Sequence, residues 1–580
     1  MQNGIPDRIM DTLMNDFFEN NEITIKDSNK AFEEFSTYYI ISKIMDGDFT
    51  YDNIDEMQIG NSNDAGIDAI GILINGDFFD SLESLKDMFS ANTNKNLDAR
   101  IIFVQSKTSQ KFKSSEMRTF GDGIVDCLRK EPRKIYNPRI KEKWAMINEI
   151  IRNVSSFSSI TGRAYYATLG RWNGEDNNLT STIKDIEESV NNMTIFNTFS
   201  FNAIDSPTLR QYVADSNTKV AQTIELPSKV VLPKVHGVDQ GWYGYIQETE
   251  FIKLIVDENE DLRRSLFYDN VRDFQGETPA NIGIANTLTS STPENMSILN
   301  NGITIIADSA KQIRESITLE NYQIVNGCQT SYVIYNQRQL AKENVYIPIK
   351  IIVTTSSDVS TNITIANNRQ TAVKDEALLA LTEVQKELEE FFNTYNGDKR
   401  LYYERRSNQY HSNPNVEKVR IVPIPISLRS YCSMFMYAPH IASRWYGKLY
   451  NDYSDKVFDG TKANITFYTS AFALYRYNFF IRNGIFERKY GKFKYFVLLM
   501  IRYSLTGNFQ IPASKKEAER ECNEINKVLW NKEKCKDIMK NMIEIIDKVA
   551  GDDITSTGLT ANKSFLERVL AEIPKLQKSK

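Results

Sequence analysis

Disulfide pairs, histidine clusters and long apolar runs are all missing from this 580-residue chain, and each absence removes a class of protein. Its five cysteines (Cys127, Cys328, Cys432, Cys522 and Cys535) are scattered, odd in number and never in CxxC spacing. That argues against both a disulfide framework and a structural zinc site. Three histidines, His236, His411 and His440, leave little room for a histidine-rich metal centre. No stretch approaches the roughly 18 uninterrupted apolar residues of a membrane span. The opening MQNGIPDRIMDTLMNDFFENNE carries acids through its amphipathic portion and lacks the basic start and apolar run of a secretory signal, which points to the cytoplasm. No GxxxxGK[ST] loop occurs, so a P-loop motor is not expected. A net charge of −5 gives no global attraction to nucleic acid, and any such binding must come from local patches.

What is present is globular: 41% hydrophobic and 25% charged residues, in a chain long enough for two to four domains. SNKAFEEFSTYYIISKIM (28–45) sets Phe32, Phe35, Tyr39 and Ile40 at helical spacing and reads as an amphipathic helix capped by Ser28 or Asn29. AGIDAIGILING (65–76) and ARIIFVQSK (99–107) read as strands, with a helix and a polar tail between them. A long helical region follows to about residue 156, then the strand-like GRAYYATLG (162–170) with a turn at Gly170. From 173 to 227 the composition turns polar, a candidate boundary. The asparagine-rich region from Gly237 to Tyr410 mixes strand and helix patterns, and the remainder reads as mostly helical. No fixed-period repeat or low-complexity linker separates these parts.

Two groups of residues carry chemistry. In VQSK (104–107) the period of two sends Gln105 and Lys107 to one face of a strand; if GIDAI (66–70) pairs beside it, Asp68 meets them at one end of the sheet. A carboxylate and a side-chain oxygen next to a lysine suit phosphodiester hydrolysis, which needs a cation on the phosphate and an activated water. A glutamate of AFEEF (31–35) would complete the acidic shell. Glu33 and Glu34 stand about 100° apart on a helix, so only one can face Asp68. The run KTSQKFKSSEMR (107–118) follows, with Lys111, Lys113 and Arg118 offering phosphate contacts, although a solvated helix face is the commoner meaning of such a run. These residues resemble the Mrr-like branch of the PD-(D/E)xK nucleases, with Glu33 on the helix, Asp68 in the GID element and Gln105-Ser106-Lys107 as a QxK variant. The resemblance implies Asp68 and Gln105 as ligands of Mg²⁺, with Mn²⁺ as a substitute, and Lys107 orienting or helping to activate the attacking water. Gln105 in place of an acid removes one negative charge at the metal.

The second group is LNNGITI (Asn300, Asn301, Gly302), IVNGCQTSYVIY (Asn326, Gly327, Gln329, Thr330) and IANNRQTAV (Asn367, Asn368, Arg369, Gln370). Asn-Gly favours tight turns, while amides, hydroxyls and a guanidinium gathered near turns also suit phosphate, sugar or base recognition. LYYERRSNQYH (401–411) adds Tyr402, Tyr403 and Tyr410 among Arg405 and Arg406, residues suited equally to base stacking and to packing. With LFYDNVRDFQG (266–276, containing Arg272), these elements resemble the AIPR family, named for abortive infection and phage resistance. IVNGCQT also resembles the DGQxR element of ParB-like nucleotide-binding modules, with Asn326 in place of the acid and no arginine after Gln329.

The resulting expectation is a mixed α/β (α+β) chain: a restriction-endonuclease-like domain at 1–165, a connecting α/β segment at 166–236, an AIPR core at 237–420 and a helical region at 421–580. The resemblances imply a cytoplasmic anti-phage nuclease acting on DNA, with RNA open, as a homodimer. Its AIPR region would recognise substrate, trigger, a nucleotide or a neighbouring defence protein. The alternative is a non-catalytic nucleic-acid or phage-protein sensor.

Overall fold

The computed structural model describes residues 5–577 except 6, 46–48, 61–62, 92–96, 218–219, 258–259, 261, 268–277, 341–343, 369–378, 381, 406–408, 411–412 and 414–415. The chain is a mixed α/β protein with a helical C-terminal region. It divides into two compact units. The first gathers Met1–Ser42, Phe49–Val213 and Glu383–Lys580; the second gathers Lys43–Asp48 and Ala214–Thr382.

The first unit begins with helices α1 (Arg8–Asn20), α2 (Ser28–Met45) and α3 (Tyr51–Met57), followed by strands β1 (Ala69–Ile74) and β2 (Asp77–Phe78). Helix α4 (Leu82–Ala91) leads to β3 (Leu97–Lys107), and α5 (Ser114–Cys127) and α6 (Pro138–Arg152) lead to β4 (Phe157–Thr168). Helix α7 (Asn177–Asn191) then leads to β5 (Thr198–Ile204). The sheet has the order β2-β1-β3-β4-β5, antiparallel between β1 and β3 and parallel from β3 to β5. Parallel neighbours need a crossover, and α5–α6 and α7 supply the two. All six residues of β1 are buried, as expected of a strand covered on both faces. Ile70, Ile72, Ile101, Phe103, Ala164 and Tyr166 lie at the centre of the core.

Three sequence expectations change here. The cap of α2 is Asp27, whose Oδ1 accepts the amides of Asn29 (2.8 Å) and Lys30 (3.1 Å), rather than Ser28 or Asn29. The helix is also buried on most of its circumference, because C-terminal segments of the same unit pack against the side expected to face water. The long helical region after Lys107 is two helices, α5 and α6, interrupted by a loop containing Pro132. The sheet itself runs past residue 165, since β5 pairs with β4.

The C-terminal helices of this unit include Ile424–Phe435, Asn464–Arg482, Lys494–Thr506, Lys515–Leu529, Lys532–Ala550 and Lys563–Gln577. Ion pairs tie them to the sheet region: Arg444 to Asp87 (2.5 Å), Arg482 to Asp52 (2.9 Å) and Arg488 to Glu34.

The second unit is built on a six-stranded sheet of β6 (Ala221–Glu225), β7 (Ser228–Val231), β8 (Gln240–Gln247), β9 (Ile303–Ile313), β10 (Ser316–Asn326) and β11 (Tyr346–Val353), in the order β6-β10-β9-β11-β8-β7. β9 and β10 form an antiparallel hairpin, and β11 runs parallel to β9. Helices Glu248–Ile255, Pro279–Thr289 and Cys328–Gln337 contribute to this unit, whose core includes Trp242, Ile246, Ile305, Ile324 and Ile347.

Candidate active site

Antiparallel pairing sets Ala69 opposite Val104, and the Asp68 amide extends the ladder by donating to the Val104 carbonyl at 2.9 Å. Asp68 therefore stands across from the polar end of β3. Its Oδ2 accepts the Gln105 side-chain amide at 2.8 Å and the Ser106 backbone amide at 2.7 Å. Two donors on one oxygen fix the carboxylate, and among the described residues Oδ1 has no hydrogen-bond partner. Gln105 is buried, because the sheet covers it on both sides, whereas Lys107 at the strand end is half-buried.

Glu33, on α2, belongs to the same electrostatic neighbourhood. Burial and then the charge of Asp68 push its carboxyl up to about 7, while Lys107 opposes the shift. Burial likewise raises Asp68 to about 6, against the Ser106 amide, Lys107 and Gln105, which favour the charged form. Glu34 points elsewhere: its carboxylate accepts from Tyr51 and pairs with Arg488, which also lies 3.3 Å from Asp55. The helical step of about 100° thus sends the two adjacent glutamates into different surroundings.

Several residues around this site went unnoticed in the sequence. Ser36, one turn beyond Glu33, meets Ser106 at 2.6 Å between hydroxyls and so docks α2 on β3. Thr108 donates to Asn29 Oδ1 at 2.6 Å, a second clasp between the same elements. Asp64 holds the loop before Asp68 by accepting the Gly66 amide at 2.8 Å, and its charge adds to the upward pressure on Asp68. The loop rests on Gly123 of α5, where any Cβ would lie 2.1 Å from the Ala65 carbonyl oxygen. Serine and threonine carry no distinctive spacing signal, so only the fold reveals them.

Among the described residues, no three or more His, Cys, Asp or Glu side chains are grouped as a metal cage. The oxygen-bearing groups here are two carboxylates, Glu33 and Asp68, and the amide of Gln105. Of the basic run, Lys111 is exposed, Lys113 pairs with Glu116 at 2.8 Å and Arg118 with Asp185 at 3.2 Å. Glu116 also accepts from Tyr166 at 3.0 Å, which draws the start of α5 onto β4.

The asparagine-rich group lies in the second unit and is largely bonded to itself. Asn300 donates to Thr330 Oγ1 at 2.9 Å and accepts the Gly302 amide at 2.8 Å, and Gln329 accepts from Asn281 at 2.8 Å. Gly302 and Gly327 have φ of +84° and +96°, the left-handed backbone that Asn-Gly signals. Asn326 ends β10 opposite Thr304, and Asn301 is exposed. These bonds make Asn300, Gln329 and Thr330 parts of a turn-and-helix scaffold. Arg272, Gln370 and Arg406, and the side chain of Asn368, lie outside the described residues. Arg405, in the first unit, pairs with Glu389 at 2.5 Å, and the neighbouring Tyr403 is fully buried, so this element packs a core.

No curated protein and no solved structure matches the chain significantly. A family model described as AIPR protein matches residues 267–558, reaching well beyond the 420 boundary expected for that region. The match covers half of the chain, from the second unit through most of the C-terminal helices, and the protein belongs to the AIPR family, named for abortive infection and phage resistance.

Proposed function

We propose that this AIPR protein acts in phage defence as a divalent-cation-dependent nuclease, with its catalytic site at the β1–β3 end of the first unit. The observation that carries the reading is the fixed Asp68 carboxylate: one oxygen is held by Gln105 and Ser106, the other is free of hydrogen bonds among the described residues, and Glu33 and Lys107 stand alongside. The donors fit Mg²⁺ or Mn²⁺, hard cations that take oxygen ligands and fill the remaining positions with water and phosphate. Asp68 Oδ1, the Gln105 amide oxygen and Glu33 would hold the ion. When bound, it would neutralise phosphate charge and lower the pKa of an attacking water.

The chain's own residues do the rest. Gln105 and Ser106 orient Asp68. Lys107 offsets the carboxylates and orients the attacking water, and Lys111 and Lys113 contact the phosphate backbone beyond the scissile bond. DNA is the substrate we assign, RNA being the other phosphodiester this chemistry accepts, and a homodimer would present two sites to a duplex. The AIPR region recognises substrate, trigger or partner.

The test is cleavage of plasmid, linear phage DNA and RNA by purified protein with Mg²⁺ or Mn²⁺, beside Asp68→Ala and Lys107→Ala. Both variants are expected to lose cleavage by at least about 100-fold while retaining nucleic-acid binding, the scale of removing electrostatic stabilisation from a transition state. Variants that cleave like the wild type would refute the site. The absence of a three-ligand cage among the described residues favours one rival, a non-catalytic sensor on a nuclease-like platform. For that reading, phage protection would survive Lys107→Ala.

A further inference from the structure

Away from the site above, and within the same unit, α4 and the C-terminal helices border a basin of about 510 Å³ lined in part by Glu83, His440, Arg444, Lys448, Asn562 and Lys563. Its charges are unevenly satisfied. Arg444 is balanced by Asp87, which it grips through Nε at 2.7 Å and Nη2 at 2.5 Å. Lys448 and Lys563 are exposed and form no ion pair among the described residues. The helix Lys563–Gln577 begins at the basin, where Asn562 Oδ1 accepts the Ser564 amide at 3.0 Å, so the positive end of its dipole adds to the two lysines.

Two polar atoms on the basin's lining residues are buried without a hydrogen-bond partner among the described residues: Glu83 Oε2 and His440 Nδ1. Native proteins rarely leave such atoms unmet, which points to a ligand. Glu83 has little room to turn away, because it packs on Gly558, where a Cβ would lie 2.7 Å from Oε1. Burial, with Lys563 and Arg444, holds the His440 imidazole below its usual pKa. A bare inorganic anion would suit the lysines but bring its charge against Glu83 and leave Oε2 without a donor. A molecule with an anionic group at one end and hydroxyl or amino donors at the other meets both needs, and the volume falls in the range of small-ligand sites.

We propose that this basin binds a nucleoside phosphate, its phosphate held by Lys448, Lys563 and the start of the 563–577 helix, and a ribose hydroxyl or base amine donating to Glu83 Oε2. None of these residues belongs to the Asp68 site, so the inference stands or falls independently of phosphodiester cleavage.

Isothermal titration of the full chain with ATP, GTP, ribose 5-phosphate and inorganic phosphate tests it. A nucleoside triphosphate is expected to bind with one site per chain. Lys448→Glu/Lys563→Glu should weaken binding by roughly 10- to 100-fold, the worth of one or two charge-assisted hydrogen bonds. Glu83→Gln, which keeps the side-chain shape, should weaken nucleotide binding several-fold and provides the second reading if the double variant does not fold. The proposal is overturned if neither nucleotide binds, if inorganic phosphate binds as tightly as ATP, or if folded variants bind like the wild type.

Discussion

Replacing Arg488 with alanine is the perturbation whose cost follows most directly from the structure. Its guanidinium pairs with Glu34, lies 3.3 Å from Asp55 Oδ1 and donates to the Gln58 side chain, while Tyr51 donates to the other Glu34 oxygen. The Glu34 side chain is 6% exposed and that of Asp55 18% exposed, so the alanine variant leaves two poorly hydrated carboxylates facing each other without a cation. Breaking a buried ion pair from one side costs about 3–5 kcal/mol, and the second carboxylate puts this site at the upper part of that range. For a unit this large, that corresponds to a fall in Tm of about 4–8 °C. Arg488→Lys should recover less than half, since one ammonium does not reproduce a fork spanning two carboxylates and an amide. Differential scanning calorimetry and urea denaturation would measure both variants. A change below about 1 kcal/mol for Arg488→Ala would refute the reasoning, because it would mean that the cluster is hydrated like a surface pair.

The raised Glu33 and Asp68 carboxyls set a pH dependence. Their folded pKa values, about 7 and about 6, exceed ordinary carboxyl values, so the stability they contribute is complete in acid and is lost as pH rises through 6 to 7. The metal-free protein should therefore melt lower at pH 8 than at pH 5.5 on account of these groups. Added Mg²⁺ should restore Tm in the wild type but not in Asp68→Ala, as a thermal-shift series with and without EDTA would show. Cleavage should rise over the same interval and its upper inflection should disappear in Glu33→Gln, read from a pH–rate profile. Gly302→Ala places a Cβ 2.9 Å from the Pro348 carbonyl oxygen at a φ of +84°, and a loss of about 2 kcal/mol is expected by chemical denaturation. Asp27→Ala removes the cap of α2 and should cost about 1 kcal/mol by the same assay, whereas Ser28→Ala should be close to neutral.

Much of this protein was legible in local patterns. The β-branched run ending in Asn75-Gly76 forms β1 and its turn, VQSK ends β3, and the Asn-Gly pairs at Gly302 and Gly327 adopt the left-handed backbone they favour. The period of two along β3 and the register against β1 are local properties, so the juxtaposition of Asp68 and Gln105 followed from residues close in sequence on two paired strands. The asparagine-rich elements gave a family resemblance, and a family model matches residues 267–558.

Tertiary structure decided what depends on partners remote in sequence. Whether Glu33 or Glu34 faces Asp68 turns on Arg488, more than four hundred positions away, which binds Glu34 and leaves Glu33 to the sheet end. The same packing buries most sides of a helix whose spacing suggested one wet face. Arg405 and Tyr403 were equally suited to stacking bases and to packing, and a single acid, Glu389, together with the surrounding core committed them to packing. Local periodicity specifies which residues share a face, but a face acquires its environment only when a distant segment covers it. The chemistry of buried charge is therefore a property of the folded chain.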